Sequence, residues 1–318
     1  MISYIIRRLF QAVVVIFGVI LIVFLLFHLE PTIVIAKAIV GPRASPVQVQ
    51  AVIQSLGLDK PLYYQVWRLV DNYVHLNFGI SYQFNTPVRV LIAQALPKTL
   101  LLVGTSTIVA LLIAIPLGVF QTVRRNKPSD YALTSMAFIF YATPPFVLGP
   151  LLVLFLAVDT HIFSPYVPPG DTLGQVALDW RAMVLPVFTL AAVTIAAFSR
   201  YMRSSMMDAM TQDYVRTARA KGASQSRVLF RHAFRNALIP IVTLVGLSIP
   251  GIVSGAVITE TVFNYPGMGF LTVRAAEVFD LGTVVGTTVV ATVATVTGSL
   301  LADILYAVVD PRIRYGRR

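Results

Sequence analysis

Cysteine is absent from the 318 residues, which removes disulfides, thiolate metal sites and cysteine nucleophiles from consideration. Charge is scarce: Asp, Glu, Lys and Arg together make up 12% of the chain, about half of what a soluble domain carries. Acids are scarcer still, 14 against 25 bases, leaving a formal net charge of +11. No Gly-x-x-x-x-Gly-Lys-Ser/Thr stretch occurs, so the chain has no P-loop for ATP. His-Glu-x-x-His and Gly-x-Ser-x-Gly are missing as well, which argues against a zinc hydrolase or a serine hydrolase. The four histidines (His28, His75, His161 and His232) are scattered, and each reads as an interfacial or loop residue rather than a metal ligand.

What is present is apolar. Hydrophobic residues account for 57% of the chain and the mean hydropathy is +0.78, values that fit an all-α polytopic membrane protein. On a soluble surface the positive charge would suggest nucleic acid; here the positive-inside rule accounts for it, and no nucleic-acid partner is expected. Six spans are predicted: Leu9–Phe27, Leu100–Phe120, Tyr131–Val158, Met183–Ser199, Ile241–Thr259 and Thr283–Val308. The first follows Arg7 and Arg8 as a signal peptide would, but it is long for one and reaches His28-Leu29-Glu30-Pro31 without a small-residue cleavage site. It reads as a retained helix.

Placing the N-terminus inside puts most bases on that side. They are Arg7 and Arg8; Arg124, Arg125 and Lys127; Arg200 and Arg203; six bases of the central loop; and Arg312, Arg314, Arg317 and Arg318. Glu30, Asp59, Asp71, Asp159, Asp171, Asp179, Glu260, Glu277 and Asp280 fall outside. Both termini are therefore expected in the cytoplasm. The organisation is a start and first helix over 1–31, an external region over 32–98, and a five-helix core over 99–318 with a cytoplasmic loop at 201–238. Ser45–Leu56 in the external region reads as an amphipathic helix, and the aromatics around it (Tyr63, Tyr64, Trp67, Tyr73) mark a membrane interface.

Three features carry candidate function. From Asp213 to Pro240 the chain holds Arg216, Arg219, Lys221, Arg227, Arg231 and Arg235 against one acid. It reads as a helix N-capped by Asp213, a break at Gly222, and a second helix capped by Ser224 and ending near Ala237, a shape suited to docking. Pro144-Pro145 interrupts the third span, either as a kink or as an unwound part of a path. On the sixth span Thr288, Thr292, Thr295 and Ser299 share a face with Asp303; close helix packing is the plainer reading, and a polar wall of a path the sharper one. Ser254, beside Gly255 in the fifth span, is a further candidate for that wall.

The order of residues in the central loop says more than its charge. Tyr214-Val215-Arg216-Thr217-Ala218-Arg219-Ala220-Lys221-Gly222-Ala223, with Pro240 beyond, resembles the cytoplasmic loop of ABC-importer permeases, most closely the dipeptide, oligopeptide and nickel branch. Arg216 stands where the wider family has a glutamate, and Thr217 where it has an alanine. Leu56-Gly57-Leu58-Asp59-Lys60-Pro61, Asn77-Phe78-Gly79-Ile80-Ser81, Leu96-Pro97-Lys98-Thr99-Leu100 and Tyr306 to Arg314 resemble other parts of the same branch, whereas Glu30-Pro31 and Asn77 depart from it. The resemblance implies a type I importer permease fold in a prokaryotic inner membrane. It implies a second homologous permease, two cytoplasmic ATPase subunits that hold ATP and magnesium, and an external substrate-binding protein, with no cofactor in this chain. The transported solute is expected to be a di- or oligopeptide, with nickel or glutathione as alternatives within the branch. An ATP-independent secondary transporter is the rival from another class. Phe263, Tyr265, Pro266 and Gly267 in the external segment 260–282 are expected to meet the binding protein.

Overall fold

The computed structural model describes residues 2–41, 43–81, 83–168, 170–254 and 256–309, without the side chains of 2–6, 8, 9, 12, 38, 249, 250, 252–254 and 301–309. Helix α1 (Ile2–Phe27) is followed by three shorter helices, α2 (Thr32–Val40), α3 (Pro46–Leu56) and α4 (Leu62–Val74). The helix expected over Ser45–Leu56 is present as α3, with Ser45 as its cap. The Ser45 hydroxyl accepts from the Gln48 N–H while the Gln48 side chain accepts from the Ser45 N–H, closing both ends of a capping box. Val49 and Ile53, four apart on one face, then bury against Ala36 of α2. Tyr73 of α4 packs against Ile20 of α1 and against Val285 and Val289 of α15 (Leu281–Val309), seating α4 on those two helices.

A two-residue hairpin, Ile80–Ser81 against Thr86–Pro87, leads into α5 (Val88–Val123). At 1.5 Å per residue α5 runs about 54 Å, well beyond the roughly 30 Å of a hydrocarbon core. The helix that carries the second span therefore begins at Val88, twelve residues before Leu100, and the boundary expected between residues 98 and 99 falls inside it. Helix α6 (Pro128–Ala142) stops at Thr143, and α7 (Pro145–Leu152) sets off at 104° to it before passing into a π-helical stretch, Val153–Val158. Pro144 lies in the break with extended dihedrals, and Pro145 opens the new helix, the position where a missing N–H costs nothing.

After α8 (Leu173–Leu178), α9 (Trp180–Thr211) packs along α5 and continues past Arg200, where the sequence had ended the fourth span. Helices α10 (Asp213–Ala220) and α11 (Gln225–Arg227) form the central loop; a π-helical stretch, Val228–Ala233, joins α11 without a break to α12 (Phe234–Ser254). The expected stop near Ala237 does not occur. Helices α13 (Val257–Val262) and α14 (Met268–Glu277) precede α15.

Among the described residues, four helices are long and apolar enough to cross a membrane, or five if the bent pair α6–α7 is one span. The apolar part of α1 in that count is shorter, Val13–Phe27. Large apolar side chains lie exposed along several helices: Phe17 and Ile22 on α1, Ile108 and Leu112 on α5, and Phe138 and Ile139 on α6. Such a surface needs hydrocarbon, not water, around it.

Candidate functional site

The central loop is held by two small contacts on its inner face. Val215 and Ala218, three residues apart on α10, are buried with Met202, Met206 and Ala209 of α9, Val119 of α5, and Val228, Ala233 and Ala237. That fixes which side of α10 faces out: Tyr214, Arg216, Thr217, Arg219, Ala220 and Lys221 are all exposed. The cap is Gln212, not Asp213, which instead sits in the first turn beside the helix N-terminus and 3.6 Å from Arg216. Gly222 has φ +77°, a left-handed backbone that only glycine adopts without strain, and a Cβ placed there would meet nothing within 4 Å. Its N–H donates to the Arg219 carbonyl (2.9 Å), and that of Ala223 to the Ala218 carbonyl (3.1 Å). The Ser224 hydroxyl then accepts from the Arg227 N–H at 3.4 Å, starting the return helix as expected. Ala218 is thus an anchor to the bundle rather than part of the outward face, and Pro240 lies exposed within the continuous helix.

The path candidates divide. Pro144 is exposed in the 104° break and Pro145 half-buried. On α15 the hydroxyls of Thr288, Thr292 and Ser299 donate to carbonyls one turn back, Val284, Thr288 and Thr295, at 2.7, 2.7 and 2.9 Å. Their protons are satisfied by their own helix, which allows close packing and leaves oxygen acceptors on that face. Thr295 is half-buried on it, and Ser299 lines a mostly apolar groove of about 420 Å³ with α1. The side chains of Ser254 and Asp303 lie outside the described residues, as do the positions from Asp310 on.

The external segment is built around a residue that the sequence reading passed over. Glu260 of α13 is fully buried; its Oε2 accepts from the N–H of Gly269 (2.7 Å) and of Phe270 (3.1 Å), and its Oε1 from the Thr99 hydroxyl (2.8 Å). Thr99 in turn accepts from the Met268 N–H at 2.8 Å. One carboxyl and one hydroxyl therefore fill the open N-terminus of α14 and tie it to α13 and α5. Burial pushes the Glu260 carboxyl above the usual carboxylate range, and its donors do not outweigh that.

Phe263 and Tyr265 are corrected by the same geometry. Both are fully buried: Phe263 against Leu185 and Ala157, Tyr265 among Leu102, Val176 and Met183 with its hydroxyl donating to the Lys98 carbonyl at 2.7 Å. Gly267 is buried too, and a Cβ there would lie 2.6 Å from the Glu260 carboxyl carbon. Three of the four residues that read as a contact surface are in fact packed into the base of this segment, and of the four only Pro266 is partly open.

The family comparisons fall onto this architecture. The family described as "Binding-protein-dependent transport system inner membrane component" matches residues 114–315, and its companion "Binding-prot-dependent transport system membrane comp, N-term" matches residues 1–103. The chain belongs to this family of permeases. It is 39% identical over 317 residues to the oligopeptide transport system permease protein AppB of Bacillus subtilis (strain 168), covering 99% of this chain and all of that protein. It is 36% identical over 315 residues to the glutathione transport system permease protein GsiC of Escherichia coli (strain K12), again 99% and 100% of the two chains.

Two more ties hold the permease together between residues that no spacing pattern links. At one end of the bundle Asp130 of α6, 2% exposed, takes both Arg203 Nε (3.1 Å) and Nη2 (2.8 Å) from α9. At the other end buried Asp280 accepts from the N–H and hydroxyl of Thr283 (3.2 and 2.9 Å) at the start of α15, and from the Ser81 hydroxyl of the hairpin. Partners 73 and 199 residues apart cannot be paired from periodicity.

Proposed function

We propose that this permease forms half of the translocation path of an ATP-driven importer for di- or oligopeptides, working beside a second, homologous permease. In this reading the chain crosses the membrane six times, α1 and the bent pair α6–α7 completing the four long apolar helices, with both ends in the cytoplasm. Two ATPase subunits hydrolyse ATP on the cytoplasmic side, since this chain carries no phosphate loop of its own. An external binding protein delivers the solute. The observation that supports it most is the outward face of α10 with the left-handed turn at Gly222. It is a basic, exposed corner, fixed to the bundle by Val215 and Ala218, and no other element packs over its outward face among the described residues. A corner of that kind transmits displacement between a partner and the spans because it is anchored on one side and free on the other.

Peptides as the solute class rest on the relatives, one named for oligopeptides and the other for glutathione, itself a tripeptide. The test is co-purification of the ATPases with the wild-type permease and uptake of a labelled tripeptide into proteoliposomes. Assembly and ATP-dependent tripeptide uptake are expected. Uptake that continues without ATPases would replace the reading by a secondary transporter.

A further inference from the structure

The outer face holds a cavity of about 740 Å³ between α5 and α14, within the range of roughly 300–1,000 Å³ that small-molecule sites occupy. Lys98 of α5 lines it and is only 9% exposed. Its ammonium makes no hydrogen bond or ion pair among the described residues, and Asp171 acts on it only from beyond ion-pair distance. A lysine this deeply buried normally has a partner, because a desolvated ammonium without one is costly. Its backbone is fixed from below, the carbonyl taken by the Tyr265 hydroxyl, so the side chain cannot leave by a shift of the helix. Around the cavity stand the amides of Gln94 and Asn264, the ring of Phe270, and an exposed pair, Arg274 with Glu277 at 3.5 Å. The lining is thus a sunken cation, apolar walls, and amides and a carboxylate toward the rim.

We propose that this cavity is a subsite for the free carboxylate of a short peptide, with Lys98 as its counter-charge, occupied before the solute enters the path. The proposal rests on the reading of the chain as a peptide-importer subunit. The match is chemical. A three-donor ammonium at the end of an apolar slot accepts a carboxylate and excludes neutral ends that cannot replace its lost water. The apolar walls receive side chains with little selectivity.

The experiment uses the assembled complex in nanodiscs. An amine-reactive acylating reagent is applied at limiting dose, and modification of Lys98 is followed by peptide mapping, with exposed Lys60 as the internal reference. The probes are N-acetyl-trialanine and its C-terminal amide. The free acid should slow acylation of Lys98 several-fold and leave Lys60 unchanged, and the amide should do neither. Equal protection by the amide, or none by the acid, overturns the subsite. Protection by the empty binding protein alone, equal to that of the acid, also overturns it and assigns the cavity to docking of that partner. In uptake assays Lys98→Gln should lower trialanine transport about tenfold at subsaturating solute, the loss of one charge-assisted contact, and Lys98→Arg should restore most of it. A wild-type complex that takes up no trialanine fails the importer reading; one that does, with Lys98 unprotected, fails only the subsite.

Discussion

Replacing Glu260 tests the outer clasp most directly. Glu260→Ala strips the acceptor from the buried Gly269 amide and Thr99 hydroxyl and from the part-buried Phe270 amide. Each buried donor left without a partner costs about 1–3 kcal/mol, and the hydroxyl can turn elsewhere, so the loss should be on the order of 4 kcal/mol. Glu260→Gln keeps an oxygen for the two amides and should cost about 1 kcal/mol near neutral pH. The two differ further in pH dependence. The folded carboxyl binds its proton more tightly than an unfolded glutamate, whose pKa is about 4.3. The stability linked to Glu260 is therefore fully present below that value and is lost as pH rises through the higher folded one. Glutamine does not titrate, so the gap between wild type and Glu260→Gln should narrow from pH 5 to pH 8. Denaturant unfolding of the complex in mixed micelles at the two pH values measures both effects, and Thr99→Val completes a double-mutant cycle. Additivity within about 0.5 kcal/mol in that cycle, or a gap that widens with pH, would refute the clasp as described.

Three other outcomes follow from the geometry. Gly222→Val forces a β-branched residue to positive φ at a cost of about 1–2 kcal/mol with no internal clash, so the variant should insert and fold but lose ATPase co-purification and peptide uptake; normal uptake would reduce the loop to a charged tether. Asp130→Asn breaks a buried bidentate pair and should destabilise by about 3–5 kcal/mol, measured as above, with Arg203→Gln in the same background adding little; full additivity would show that the two do not act as one pair. A cysteine placed at Ser226 in this cysteine-free chain should resist an impermeant external thiol reagent in intact cells, whereas labelling there would invert the proposed topology.

How far the sequence could be read depended on how local each feature is. The helix over Ser45–Leu56, the turn at Gly222 and the break at Pro144 each arise from a few neighbouring residues, and each is where the pattern placed it. Helix ends were misjudged where polarity stood in for structure. Arg200 suggested the end of one span and the polar stretch up to Lys98 the start of another, yet α9 and α5 run on because helical hydrogen bonding continues past the membrane boundary. The aromatic segment at Phe263 and Tyr265 was misread for a different reason. Its composition suits an exposed surface or a buried base equally, and only the contacts of Leu185 and Leu102, from distant helices, decide between them. Glu260 looked like another external acid because its partners, Thr99 and the amides of α14, are supplied by the fold.

Those distant contacts also say how the two faces communicate. On α5, Thr99 belongs to the outer clasp and Val119 to the core beneath α10, twenty residues or about 30 Å apart along an unbroken helix. On α9, Met183 and Val187 pack against Tyr265 outside, and Met202 and Met206 against Val215 inside. The pair therefore joins the basic corner to the base of the outer cavity through packed helix, with no flexible connection between. Packed helices transmit displacement as bodies rather than deform, so under the proposed coupling a shift imposed at α10 would reach Lys98 and Glu260 together. The bending that such a shift requires is left to positions where helical hydrogen bonds are already missing. The break at Thr143 and Pro144 between α6 and α7 is one such position.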